Sequence, residues 1–115
     1  GKPQDFLLIS GDDVQAVPII ACGGVGVMSV IANAIPTKFT NMIHAALDGD
    51  FKGARDVLGD FLAIDPLLYE EGNPVGVKKI LEIKGLAESH VRLPLVKASE
   101  ELGERMKVIL VKDNL

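Results

Sequence analysis

Phe6-Leu7-Leu8-Ile9-Ser10-Gly11-Asp12-Asp13 and, a short segment later, Gly23-Gly24-Val25-Gly26-Val27-Met28-Ser29-Val30-Ile31 decide the fold. Residues 6–10 and 27–31 are apolar runs without a polar alternation, which predicts strands covered on both faces, as in parallel sheets. Between them, Asp12 and Asp13 offer carboxylates that can accept the first N–H groups of a helix. Residues 14–22 are apolar enough to be that helix, and Gly23 suits the position just past its end. Pro18 falls inside the segment and is expected to cost it a backbone hydrogen bond. Strand, helix and parallel strand make a βαβ unit, so the fold class is α/β.

Downstream the period changes to that of helices. Phe39, Met42, Ile43, Ala46 and Leu47 form one stripe, with Pro36 tolerated in the first turn and Gly49 ending the helix. Asp50 is placed to cap the next helix, whose stripe is Phe51, Ala54, Val57, Leu58, Phe61 and Leu62, and Pro66 kinks or ends it. A third helix has Asn73 as cap, Pro74 at its first position, Val77, Ile80 and Leu81 inward, and Gly85 beyond its end. Ser99 caps the last, where Glu100 and Glu101 suit the positive end of the helix dipole and Leu102, Met106, Ile109 and Leu110 form the stripe. By content the chain is mostly α. Residues 1–48 read as strand–helix units, and residues 49–115 as a helical domain.

Composition narrows the function. Apolar residues make up 48% and charged residues 24% of 115, which excludes a disordered chain. No run of about 18 apolar residues is present to form a spanning helix, so no membrane partner is expected. A net charge of −4 argues against nucleic acid, and four Phe, one Tyr and no Trp are too few for base stacking. The single cysteine, Cys22, suits a reducing, cytoplasmic compartment. It lies at a helix C-terminus, where the dipole disfavours a thiolate, and is expected to be packed.

Few residues carry candidate chemistry. Gly23-Gly24-Val25-Gly26 precedes a strand instead of opening a helix, so it reads as a turn and not a phosphate loop. His44 and His90 lack partners at metal-ligand spacing, and His44 belongs on the rim of its helix; no metal site and no cofactor are expected. A lysine that forms a Schiff base needs a rigid, desolvated position. No lysine lies in either predicted strand, and Lys78, beside Lys79, reads as part of a solvated helix face. Asp12 and Asp13 sit where α/β active sites are built, although helix capping accounts for at least one of them. Gly11 is more telling, because a glycine ending a buried strand lets a ligand approach the backbone.

Two strands do not make a stable sheet, and the helices downstream cannot cover both faces of both. The chain therefore reads as the end of a larger sheet that begins upstream, with strand edges expected to drive self-association.

Taken together, Leu8-Ile9-Ser10-Gly11-Asp12-Asp13, Gly23-Gly24-Val25-Gly26-Val27-Met28-Ser29-Val30 with Ala32-Asn33, Glu71-Gly72-Asn73-Pro74-Val75-Gly76-Val77-Lys78 and Val91-Arg92-Leu93-Pro94-Leu95 resemble the C-terminal part of dihydrodipicolinate synthases. The likeness covers essentially the whole chain, in order. It implies a (β/α)8 TIM barrel of which this chain holds the last two βα units and the C-terminal helical region. It further implies a Schiff-base lyase that condenses pyruvate with aspartate semialdehyde to 4-hydroxy-tetrahydrodipicolinate, on the route to diaminopimelate and lysine. The imine-forming lysine, the proton-relay tyrosine, its threonine and the substrate-binding arginine then lie upstream, so no catalytic residue is expected in this chain. Homo-oligomers, typically tetramers, are the family's habit.

Two substrate-binding positions carry over from the resemblance. Gly11 matches the glycine that ends strand seven beside the imine. Met28 matches the strand-eight residue whose backbone carbonyl faces bound pyruvate, where the family often has isoleucine. Ser29 and Asn33 match supporting positions. The N-acetylneuraminate lyase and keto-deoxy-sugar aldolase branches share the barrel and stay open as alternatives, as does a non-catalytic helical interaction domain.

Overall fold

The computed structural model describes residues 3–115. Its elements run β1 (Ile9–Ser10), α1 (Ala16–Ala21), β2 (Gly26–Val27), a 3-10 turn (Ile31–Asn33), α2 (Pro36–Leu47), α3 (Phe51–Phe61), a second 3-10 turn (Asp65–Leu68), α4 (Val75–Ile83) and α5 (Glu100–Lys112). β1 and β2 are parallel neighbours, Ile9 opposite Gly26 and Ser10 opposite Val27, joined through α1 as a βαβ unit.

Both strands are shorter than the apolar runs predict. A ladder needs a partner as well as apolar residues, and among the described residues each strand has only the other. Leu7, Leu8 and Ile9 are exposed, the reverse of the burial expected of them. Val30 and Ile31 leave the extended path, since both their N–H groups turn toward the carboxylate of Asp13.

α1 begins at Ala16, two residues later than expected, after the Gln15 N–H has been taken by Asp12 Oδ1 at 2.9 Å. Pro18 is consequently its third residue. The first turn of any helix has no intrahelical acceptors, so the missing N–H costs no bond, contrary to expectation. Cys22, expected to be packed, is exposed at the end of α1. Gly23, Gly49 and Gly85 follow α1, α2 and α4 with φ of +95°, +86° and +68°, the left-handed turn that ends a helix.

Asp50 and Ser99 cap as predicted, accepting from the N–H groups of Gly53 and Leu102. Asn73 does not. Pro74 occupies the cap position of α4 and no side chain caps that helix. Instead, Glu71 reaches the start of α5, accepting from the Ser99 N–H at 2.8 Å and from its hydroxyl, while Glu70 makes a two-pronged pair with Arg105. α3 ends at Phe61, ahead of the 3-10 turn that holds Pro66.

The core runs through all the helices. Phe39 of α2 meets Phe61 of α3 edge to face, ring centres 5.6 Å apart, and Met42, Ile64, Leu68 and Ile80 are buried around and beyond them. α3 lies against α2 and α1, whereas α4 packs on α5 and on the second 3-10 turn. The last contact is close enough to require glycine. A Cβ at Gly76 would stand 2.5 Å from the Leu68 Cα and carbonyl oxygen. Gly76→Ala is therefore expected to cost about 1–3 kcal/mol in a urea titration despite alanine's better helix propensity. An unchanged or higher midpoint would show that the two backbones separate freely.

Candidate functional site

The candidate site lies at the C-terminal ends of β1 and β2. The Met28 N–H donates to the Ser10 carbonyl at 2.8 Å, extending the ladder by one bond and setting Gly11 beside Met28. The two residues singled out in the sequence are thus neighbours on one edge of the molecule. Gly11 is exposed and has no strained φ; a Cβ there would meet nothing within 4 Å. The Met28 side chain is 74% exposed. Among the described residues, nothing accounts for the missing side chain at Gly11.

The loops behind these residues are braced. The Ser10 hydroxyl donates to the Asp12 carbonyl at 2.7 Å and accepts from the Asp12 N–H at 3.2 Å. Ser29 Oγ accepts from the Ala32 N–H, and the Asn33 amide donates to the Ser29 and Val30 carbonyls, so both shape the turn after β2. Asp13 joins the two loops. Its side chain is buried, 1% exposed, and Oδ2 accepts from the N–H groups of Val30 at 3.1 Å and Ile31 at 2.9 Å. Neither aspartate caps α1, contrary to expectation; the acidic pair divides its work, Asp12 holding the turn before that helix and Asp13 the turn that follows Met28.

Asp65 and Tyr69, which the sequence reading passed over, lie within electrostatic reach of this pair. Burial, then the charges of Asp12 and Asp13, push the Asp65 carboxyl up to about 6. Burial, then Asp13, Asp65 and Asp12, push the Tyr69 phenol up to about 12. Oδ1 of Asp13 and Oδ1 of Asp65 are both buried without a hydrogen-bond partner. The signal for Asp65 was a lone carboxylate inside Leu62-Ala63-Ile64-Asp65-Pro66-Leu67-Leu68. Because Asp65 is raised from 3.8 to about 6, the native chain keeps a proton that the unfolded chain releases across that window. Stability from this group is full below the unfolded value and falls as pH rises to about 6, then stays level. Asp65→Asn is expected to flatten this slope and raise the unfolding midpoint at neutral pH. An unchanged slope would assign it to other groups.

The lysines are placed for structure. Lys78, expected on a solvated face, is half-buried and donates to the His90 carbonyl at 2.5 Å. Lys79, expected there too, is buried, 8% exposed, because its ammonium meets Glu82 at 3.0 Å and Glu100 at 3.5 Å across α4 and α5. The Glu82 hydrogen bond holds the Lys79 ammonium above the ordinary lysine range, opposite to what an imine-forming amine needs. Glu82, bonded by the Ser89 hydroxyl and then by Lys79, is drawn down to about 2. Among the described residues, no group of three or more His, Cys, Asp or Glu could hold a metal ion, and no helix is long and apolar enough to cross a membrane. His44 is exposed, on the rim of a depression of about 270 Å³ between β2 and α2.

Comparison with known proteins identifies the family. Residues 2–113 match the dihydrodipicolinate synthetase family. A 4-hydroxy-tetrahydrodipicolinate synthase of Cytophaga hutchinsonii is 53% identical over 110 residues, 96% of this chain and 37% of that protein. One of Azobacteroides pseudotrichonymphae is 46% identical over 110 residues, again 96% of this chain and 37% of the relative. The crystal structure of dihydrodipicolinate synthase from Aquifex aeolicus superposes with a TM-score of 0.90 at 36% identity, covering 98% of this chain and 39% of that one. The chain spans little more than a third of the length of these relatives. It belongs to the dihydrodipicolinate synthetase family, a family of lyases.

Proposed function

We propose that this chain is the C-terminal part of a Schiff-base lyase that condenses pyruvate with aspartate semialdehyde to 4-hydroxy-tetrahydrodipicolinate, in diaminopimelate and lysine biosynthesis. The observation that carries the reading is the juxtaposition of Gly11 and Met28 at the C-terminal ends of two adjacent parallel strands, the end at which (β/α)8 enzymes build their sites. In that setting residues 1–48 supply the last two units of the barrel and residues 49–115 its helical region. The whole enzyme works in the cytoplasm as a homo-oligomer.

The roles of the two residues follow from what each presents. Gly11 leaves open space above the end of β1, into which a covalently held substrate can come close to the backbone. Met28 offers its backbone carbonyl to pyruvate, so its side chain can differ among relatives. Asp13, through the Val30 and Ile31 N–H groups, fixes the turn just past that carbonyl. The amine that forms the imine belongs to the part of the enzyme upstream.

Two measurements test this reading. The chain alone, treated with pyruvate and borohydride, is expected to show no stoichiometric adduct by mass spectrometry; a full adduct on one lysine would place the imine here. Joined to the upstream part of the Cytophaga hutchinsonii relative, it is expected to give an enzyme that consumes pyruvate and aspartate semialdehyde. Turnover of N-acetylneuraminate instead would move it to the sister branch, and a folded, inactive fusion would favour a non-catalytic helical domain.

A further inference from the structure

We propose that Asp65 is a positioning residue that acts as a proton-dependent latch on the site: while it carries a proton the turns after β1 and β2 keep their shape, and when the proton leaves they loosen and pyruvate is held less tightly. The proposal rests on the function proposed above and adds a control of that same site. Three carboxylates act on one another here from two parts of the fold. Asp12 and Asp13 belong to the segment between β1 and α1, whereas Asp65 opens the 3-10 turn between α3 and α4. Asp13 is 1% exposed, and its Oδ1 is buried without a hydrogen-bond partner, as is Oδ1 of Asp65. Both atoms are already covered by atoms of this chain, so their state is set within it.

No cation answers these carboxylates. Among the described residues, no lysine, arginine or histidine pairs with Asp12, Asp13 or Asp65. α4 packs on the turn that begins with Asp65, yet Lys78 is bonded to the His90 carbonyl and Lys79 to Glu82 and Glu100. At the end of α3, Asp60 is paired with Lys38. Tyr69, just past the turn, has its phenol pushed up to about 12 and brings no positive charge. Like charges without a cation favour retention of a proton by one of them. Burial, then Asp12 and Asp13, put it on Asp65, whose carboxyl stands at about 6. The proton matters because of what the other two hold. Asp13 Oδ2 accepts from the N–H groups of Val30 and Ile31, just past Met28, and Asp12 Oδ1 accepts from the Gln15 N–H, just past Gly11. When Asp65 ionises, a like charge appears beside Asp13 where water screens poorly, and repulsion there is far stronger than in bulk water. Movement of the turns relieves it and carries the Met28 carbonyl with them. The tight state therefore lies below about 6, and rising pH through that value loosens it.

In this chain, the amide proton shifts of Val30 and Ile31 are expected to move together in an NMR titration with a midpoint of about 6, and to stay flat over the same range in Asp65→Asn. Asp12→Asn removes one of the charges that raise Asp65 and is expected to lower the midpoint. In the fusion described above, the ratio of pyruvate KM at about pH 7.5 to that at about pH 5 is expected to be at least about fivefold larger with Asp65 than in Asp65→Asn, with kcat changing less. Amide shifts that do not move through this range, or that move equally in Asp65→Asn, overturn the proposal. So does a pH profile of pyruvate KM that Asp65→Asn leaves unchanged. The two readings fail separately. An active fusion with unresponsive amides leaves the function standing and removes the latch, whereas an inactive fusion whose amides respond removes the pyruvate reading and keeps the latch on the turns.

Discussion

Asp13→Ala is expected to destabilise the chain by about 2–4 kcal/mol, and Asp13→Asn by much less. Alanine leaves the Val30 and Ile31 N–H groups, which now donate to Oδ2 at 3.1 and 2.9 Å, without an acceptor, the first in a partly buried site and the second in a buried one. An orphaned buried donor costs about 1–3 kcal/mol, so two such losses outweigh the relief of removing a buried charge near Asp65. Asparagine keeps an oxygen where Oδ2 stands and puts its amide nitrogen where Oδ1 now has no partner. It also removes one of the charges that raise Asp65, so the pH dependence of stability between 3.8 and about 6 is expected to weaken in the same variant. Urea titrations of the three proteins at acidic and neutral pH check both effects. Equal losses for alanine and asparagine would mean that the charge matters and the acceptor does not.

How far the sequence discloses this arrangement depends on whether a feature is local. The order strand–helix–parallel strand, the caps Asp50 and Ser99, and the terminating Gly23, Gly49 and Gly85 were legible because each follows from a few neighbouring residues. Most stripe positions were legible for the same reason, although Leu47, Phe51 and Leu62 lie exposed at helix ends. Strand length was not. Residues 6–10 carry the composition of a strand covered on both faces, yet the ladder extends only as far as the partner strand does. The division of labour between Asp12 and Asp13 was also hidden, because the Val30 and Ile31 N–H groups lie 17 and 18 residues away from Asp13. Lys79 shows the same limit. On a helical wheel it is one of two adjacent lysines, and only the packing of α5 against α4 brings Glu100 to it and buries it.

Gly11 and Met28 were singled out through resemblance to a family, and the structure sets them side by side with open space at the glycine. Gly11→Val is expected to leave the stability of this chain within about 0.5 kcal/mol, because the new side chain enters open space and the backbone needs no left-handed conformation. In the whole enzyme, formed by fusion to the upstream part of a relative, the same substitution is expected to lower kcat/KM for pyruvate and aspartate semialdehyde at least about 100-fold. The valine methyl groups would occupy the space above β1 where the proposed function puts the covalently held substrate, and displacing a reacting group by about 1 Å can cost that much. Gly11 lies just past β1, where nothing among the described residues requires a glycine, so a reason for it is to be sought in what binds there. A bound substrate is such a reason, and the pair of measurements isolates it. Loss of turnover with unchanged stability assigns the empty space to the substrate. Normal turnover in a folded Gly11→Val fusion would show that the space above β1 is not where pyruvate is held.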